Sequence, residues 1–283
     1  MMEVAIIIPT LNRIDFLIRT LLYYKNVNYR YQIFVGDASD NSHSEIIKNK
    51  IVNINYDLHY YHWPKLNDRK TITLLAKKAF NIGCKYIAFH GDDDFFIPKS
   101  LLDCACFLEE NKEFTTAQGK AALFVLDQNG PYGNIKEVGV YWDKNELLNS
   151  SSIDRFQNIL QNYWVPQFSV HRTLEFLDVS DLYSQIPDRN WGELYHCLSF
   201  AIQGKSKFID SLYMVRNYHP EINHGSFSEW ICSPNWFPSY QMICNDFYKK
   251  LGNAHVNRNT IEKFLQIYIN NYLTKQANIS YVL

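Results

Sequence analysis

Residues Val4 to Ile8 form an unbroken apolar run closed by Pro9, the pattern of a strand buried on both faces. Apolar positions then recur at helical spacing, at Phe16, Leu17, Thr20, Leu21 and Tyr24, with Asn12 placed to cap that helix. A second apolar run, Tyr31 to Val35, ends in the polar turn Gly36-Asp37-Ala38-Ser39-Asp40, and a helix is expected over Ser42 to Lys50. Leu58 to His62 reads as a third strand. Thr71 to Asn81 carries Ile72, Leu75, Ala76, Ala79 and Phe80 on one face, with Gly83 where a helix-ending glycine belongs. A fourth strand, Tyr86 to Phe89, runs directly into Gly91-Asp92-Asp93-Asp94.

Strands alternating with helices at these intervals require crossover connections, so the chain belongs to the α/β class with a mostly parallel sheet. Ligands of such sheets bind at the carboxyl ends of the strands. Three polar segments fall there: Pro9 to Arg13, Gly36 to Asp40, and Gly91 to Asp94. They are expected to converge in space. Beyond Pro98 the pattern predicts a helix over Lys99 to Asn111, a strand near Ala121 to Leu126, and a turn around Gly130-Pro131-Tyr132-Gly133. The second half alternates less cleanly. Helices are expected over Ser152 to Asn162 and Trp191 to Gln203, and a strand over Phe208 to Val215. Glu221 to Pro238 lacks periodicity and reads as a loop over a site. Ile261, Phe264, Leu265, Tyr268, Ile269, Tyr272 and Leu273 form a helical stripe; it suits core packing, and homo-oligomerisation through it stays open.

Composition narrows the function. The chain has 283 residues, 28 Lys+Arg against 29 Asp+Glu, and a net charge of -1, which gives no electrostatic case for a nucleic-acid partner. Twenty Tyr, 18 Phe and 6 Trp suit both a core and surfaces that stack on sugar or base rings. The six cysteines have neither CxxC pairs nor regular spacing, so neither zinc nor a disulfide framework is signalled. No leader and no apolar stretch near the roughly 18 residues of a membrane span is apparent. A cytoplasmic protein is expected. Peripheral contact with the inner face of the membrane is left open, although no polybasic segment supports it.

Three consecutive aspartates at a strand end raise one another's pKa unless a cation neutralises them. Carboxylate oxygens select Mg²⁺ or Mn²⁺, which complete their shells with water and substrate phosphates. The segments Ile6-Ile7-Ile8-Pro9-Thr10-Leu11-Asn12-Arg13, Val35-Gly36-Asp37-Ala38-Ser39-Asp40 and Tyr86 to Pro98, with its Gly-Asp-Asp-Asp-Phe core, together resemble family 2 glycosyltransferases of the GT-A fold. The similarity covers roughly the first 120 residues.

The resemblance implies a Rossmann-like GT-A domain over residues 1–220, with a nucleotide-sugar half (1–120) and an acceptor half (121–220). Residues 221–283 would be a helical, aromatic-rich extension packed on it. Pro9, Thr10, Asn12 and Arg13 would line the nucleotide pocket, and Asp37 would accept from the base. Gly36 stands where the family has a further acidic residue. Asp92, Asp93 and Asp94 match its metal motif, with the ligating pair undecided between them and with Asp92 and Asp93 also at the nucleotide. The family opens a late helix with a Glu-Asp pair supplying the general base; here Glu193 is the first candidate and Asp188 the second, Leu194 replacing the second acid. Arg216 would bind diphosphate and His219 would be a further metal ligand. The implied reaction is inverting transfer from a nucleotide-sugar donor, most often a UDP-sugar, to a glycan or lipid-linked acceptor. Two alternatives stay open. A sugar-phosphate nucleotidyltransferase would normally carry a Gly-rich basic loop after the first strand, which Pro9 to Arg13 is not. A non-catalytic glycan-binding module would explain Leu194 but not the retained aspartates.

Overall fold

The first apolar run becomes β1 (Val4–Thr10), the centre of a parallel block with β2 (Ile33–Asp37) and β4 (Tyr86–Phe89) on its two sides. The computed structural model describes residues 3–51, 57–219, 227–252 and 256–280. Strand β3 (Leu58–His62) extends the block beyond β2, again parallel. Val4, Ile6, Ile7 and Ile8 have no exposed surface, and each such burial contributes roughly 2 kcal/mol.

The crossovers are α1 (Ile14–Asn26), α2 (Asn41–Ile51) and α3 (Asp68–Asn81). Helix α3 lies against β1 and β2, starts on an Asn67 side chain that accepts from Lys70 N–H, and gives way to Gly83 at φ 90°. That dihedral belongs to the left-handed region where glycine is unstrained. Asn12 departs from its expected capping role. It sits at φ 55° and the helix begins after Arg13 with no side-chain cap. Its backbone N–H is instead turned onto Ser39 Oγ, 2.7 Å away.

The remaining strands complete one sheet of order β3-β2-β1-β4-β8-β6-β9-β5. Its second half rests on the long parallel pair β6 (Phe114–Leu126) and β9 (Lys205–Asn217). Short β8 (Val170–Arg172) joins β4 to β6, antiparallel to both, and two-residue β5 (Phe95–Phe96) pairs with β9. Strand β7 (Ile135–Trp142) folds back on β6 through the expected Gly/Pro turn. Sequence periodicity missed β5, β7 and β8.

Helices α4 (Pro98–Glu110), α5 (Ser152–Gln161) and α7 (Arg189–Gln203) match their expected positions, whereas α6 (Thr173–Gln185) was not anticipated. The segment expected as a loop from Glu221 to Pro238 is largely helical where described: α8 spans Phe227–Ile231 and α9 spans Trp236–Leu251. Residues 221–226 lie outside the described part. The helical order there comes from packing that periodicity does not reveal: Trp230 and Trp236 both lie against Trp191 of α7, ring centres 5.2 Å away. Helix α10 (Arg258–Ser280) carries the expected stripe as far as Ile269, with Ile261 and Leu265 buried; the side chains of Tyr272 and Leu273 lie outside the described part. Among the described residues no helix is long and apolar enough to cross a membrane.

Candidate functional site

The carboxyl ends of β1, β2 and β4 meet, as the sequence predicts. Thr10 Oγ1 donates to Asp92 Oδ2 at 2.6 Å, and Ala38 N–H donates to the Thr10 carbonyl at 2.9 Å. With the Asn12–Ser39 bond, these contacts knit all three polar segments into one edge. Pro9 is half-buried, whereas Leu11 and Asn12 face outward beside it. Gly36 has a packing reason to be glycine: a Cβ there would lie 2.4 Å from Thr71 Cγ2 of α3, so a larger residue would force the Thr71 and Leu75 side chains to shift.

Asp92, Asp93 and Asp94 are buried, with 3%, 6% and 1% of their surface exposed. The counter-charge comes from the chain itself. Arg13 spans the first two, Nη1 lying 3.0 Å from Asp92 and Nη2 2.8 Å from Asp93. Arg216 Nε lies 3.0 Å from Asp94 Oδ2, whose other oxygen accepts from Asn217 N–H at 3.2 Å. The balance is uneven. Burial pushes Asp92 up to about 7, with Asp93 and Asp94 adding to the rise and Arg13 and Thr10 opposing it. Asp94 is likewise raised, by burial and by Asp93 against Arg216. Burial acts upward on Asp93 too, but His219 and Arg13 outweigh it and hold that carboxyl below the usual range.

Helix α1 fixes this acidic segment along its length. Thr20 Oγ1 donates to the Asp92 carbonyl at 2.7 Å and Tyr23 donates to the Phe96 carbonyl at 3.0 Å. Tyr24 receives Phe96 N–H at 3.0 Å and contacts His90 Nε2 at 2.6 Å. His90 is thus a buried structural residue; burial lowers its pKa to about 4. Arg19, which sequence reasoning missed, donates to the Asp93 carbonyl at 2.9 Å, Asn217 Oδ1 at 2.7 Å and the Pro131 carbonyl at 2.6 Å. The available signal was its place between Phe16 and Tyr23 on one helical face.

The second half supplies the opposite wall. Arg216 lies over the Tyr141 ring at 4.6 Å and the Phe168 ring at 5.0 Å. Next to Phe168, Gln167 donates to Glu193 Oε2 at 3.3 Å, and Tyr163 donates to Glu193 Oε1 at 3.0 Å. Glu193 is half-buried on a helix whose neighbouring positions, including Leu194, are buried. Burial pushes the Tyr141 hydroxyl up against Arg216, with Glu193 and Asp94 both adding to the rise. Arg216, stacked on Tyr141 and Phe168, thus connects the acidic turn to the segment whose Gln167 holds Glu193. Tyr141, Tyr163, Gln167 and Phe168 carried no motif that the sequence could reveal.

Asp188 is occupied differently. Its Oδ1 accepts from Trp191 N–H at 2.9 Å, capping α7, and from Trp230 Nε1 at 2.9 Å. Asp188→Asn keeps that oxygen, so thermal melting and turnover should both stay near wild type. Asp188→Ala should cost about 1 kcal/mol through the lost cap. A hundredfold loss of turnover in the Asn variant would instead mark a reacting carboxylate.

A divalent cation was tested against the donor set. Among the described residues no three His, Cys, Asp or Glu side chains gather into a metal-holding cluster. Asp93 Oδ2 and His219 Nε2 approach to 3.3 Å, and that buried nitrogen has no hydrogen-bond partner among the described residues. The imidazole nitrogen and carboxylate oxygen of that pair are donors that a hard cation taking few protein ligands, and completing its shell with phosphate, would accept.

The architecture is the GT-A type of α/β fold. Solved structures of Staphylococcus aureus TarS share it. TarS 1–349 superposes with a TM-score of 0.61 at 15% identity, over 96% of this chain and 72% of that one. Its complexes with UDP and with UDP-GlcNAc give 0.60 and 0.58, at 15% and 14% identity, over 96% of this chain and 72% and 73% of those chains. Against the longer TarS structure the TM-score is 0.58 at 15% identity, and the match covers 95% of this chain but 43% of that one. No protein-family profile matches the sequence, and no curated protein matches it significantly.

Proposed function

We propose that this protein is a glycosyltransferase that takes a nucleotide-sugar, most simply a UDP-sugar, and transfers the sugar to a hydroxyl of a glycan or lipid-linked acceptor with inversion. The observation that carries this is the joining of Thr10, Asn12, Ser39 and the three aspartates at one sheet edge, with Arg216 paired to Asp94 and stacked on Phe168, next to which Gln167 holds Glu193. Solved structures of the same fold holding UDP and UDP-GlcNAc support a nucleotide-sugar donor. Residues 1–120 would serve the donor, residues 121–220 the acceptor, and the C-terminal helices would buttress α5 and α7.

Pro9 to Arg13 would bound the nucleoside side. Arg216, and Arg13 if its fork opens, would receive the diphosphate, since guanidinium groups pair with phosphate oxygens in two-pronged fashion. Asp93 and His219, with Asp92 or Asp94, would hold Mn²⁺ or Mg²⁺, which when bound neutralises charge on the departing diphosphate. Glu193 takes the acceptor proton as the acceptor oxygen bonds to the anomeric carbon and the bond from that carbon to the diphosphate oxygen breaks. Tyr163 and Gln167 orient that carboxylate. The test is a screen of UDP-sugars for UDP release, with Mn²⁺ or Mg²⁺ and then with chelator. Release from one sugar nucleotide, carried by the wild type and lost in Glu193→Gln, is expected; a folded enzyme inert towards every donor and acceptor tried would count against transfer.

A further inference from the structure

Asp37 ends β2 with none of its surface exposed. Its Oδ1 accepts from Ser39 N–H at 2.8 Å and its Oδ2 from the Tyr60 hydroxyl at 2.5 Å. Tyr60 stands on the adjacent strand β3, opposite Val35, and is only half-buried. Of the two residues, Tyr60 is the one with surface open to a ligand at this edge.

The phenol is also held in place. Trp63 N–H donates to the Asp37 carbonyl at 2.7 Å, Lys65 N–H to the Ala38 carbonyl at 3.0 Å, and His62 Nε2 contacts the Ser39 carbonyl at 2.9 Å. The end of β3 is latched to the 37–39 turn, so the hydroxyl is pre-oriented. A hydroxyl donating to a carboxylate makes a charge-assisted bond. Burial and the Asp37 carboxylate together push the Tyr60 pKa up, so the proton stays on the phenol. Its only proton points inward, and only lone pairs remain for a ligand. A free tyrosine hydroxyl donates or accepts as needed; this one is restricted to accepting.

We infer that Tyr60 selects the nucleobase of the donor: a phenol oxygen fixed as an acceptor by Asp37 requires a ring N–H opposite it, as uracil presents at N3 and cytosine does not. Asp37 is then a positioning residue that commits the phenol proton, and its influence on the base is relayed through Tyr60. The inference rests on the nucleotide-sugar donor proposed above.

Calorimetric titration of UDP and CDP into wild type, Tyr60→Phe and Asp37→Asn tests it, with thermal melts to verify folding. Wild type should prefer UDP by about tenfold or more, because CDP sets an acceptor against an acceptor. Tyr60→Phe should weaken UDP by about that factor, leave CDP nearly unchanged and bring the preference close to unity. Asp37→Asn, whose amide can donate to the phenol, frees the phenol proton to face outward and should narrow or reverse the preference. It also guards against a poorly folded Phe variant. A tenfold UDP preference that survives in Tyr60→Phe overturns the role of Tyr60 while leaving the donor site standing. A folded wild type that binds neither nucleotide overturns both.

Discussion

Glu193→Gln is expected to lower kcat by about 10²–10⁴-fold while leaving the affinity for UDP within about twofold. The amide is nearly isosteric and keeps an oxygen for Tyr163, whose hydroxyl lies 3.0 Å from the native Oε1. What it loses is the capacity to take a proton. Because Glu193 is held by Tyr163 and Gln167 rather than by the groups around the aspartates, donor binding should not register the change, so the effect falls on kcat rather than on nucleotide affinity. Steady-state UDP release paired with UDP titration separates the two. If the variant keeps a tenth or more of wild-type kcat, proton removal lies elsewhere.

Arg216→Ala should be the most damaging single change to the folded site. Asp94 is 1% exposed as a side chain and Arg216 29% exposed, so removing the guanidinium strands a buried carboxylate. Losing one partner of such a pair costs about 3 kcal/mol. Denaturant unfolding should report that loss, and UDP titration should report a drop in affinity of about tenfold or more. The two effects are separable in the double variant Arg216→Ala/Asp94→Asn. There the buried charge is gone, so stability should return towards wild type, while the missing cation keeps UDP binding weak. Recovery of both together would mean that Arg216 acts only through the fold and not on the diphosphate.

The sequence placed the strands of the first half well for a physical reason. Central parallel strands are buried on both faces, so β1, β2 and β4 read as apolar runs whose ends are marked by the first polar residues, and those residues form the edge proposed as the site. The second half of the chain lacks that contrast. Strand β7 sits on the sheet edge with Val138 71% and Val140 74% exposed, which inverts the hydrophobic pattern expected of a strand. Helix α6 buries Thr173, Phe176, Val179, Ser180 and Tyr183; the spacing is helical, but two of the five are polar and dilute the signal.

The aspartate triplet teaches a narrower lesson. Sequence reasoning correctly demands counter-charge for three adjacent carboxylates and assigns that duty to a metal ion. In the structure Arg13 and Arg216, which lie 79 or more residues and over 120 residues away in sequence, already supply part of it. Asp92 remains raised to about 7 all the same, so the cluster is not fully compensated. Long-range pairs of this kind follow from topology, as do the contacts of Tyr60 with Asp37 and of Gln167 with Glu193. No local pattern announces them.

The most direct test of the donor site is calorimetric titration of UDP into the wild-type protein, with and without Mn²⁺, beside Asp93→Asn. One-to-one binding that strengthens with Mn²⁺ and weakens in the variant is the predicted result. No heat of binding from a verified folded sample, with or without the metal, would contradict a nucleotide-sugar site at this edge.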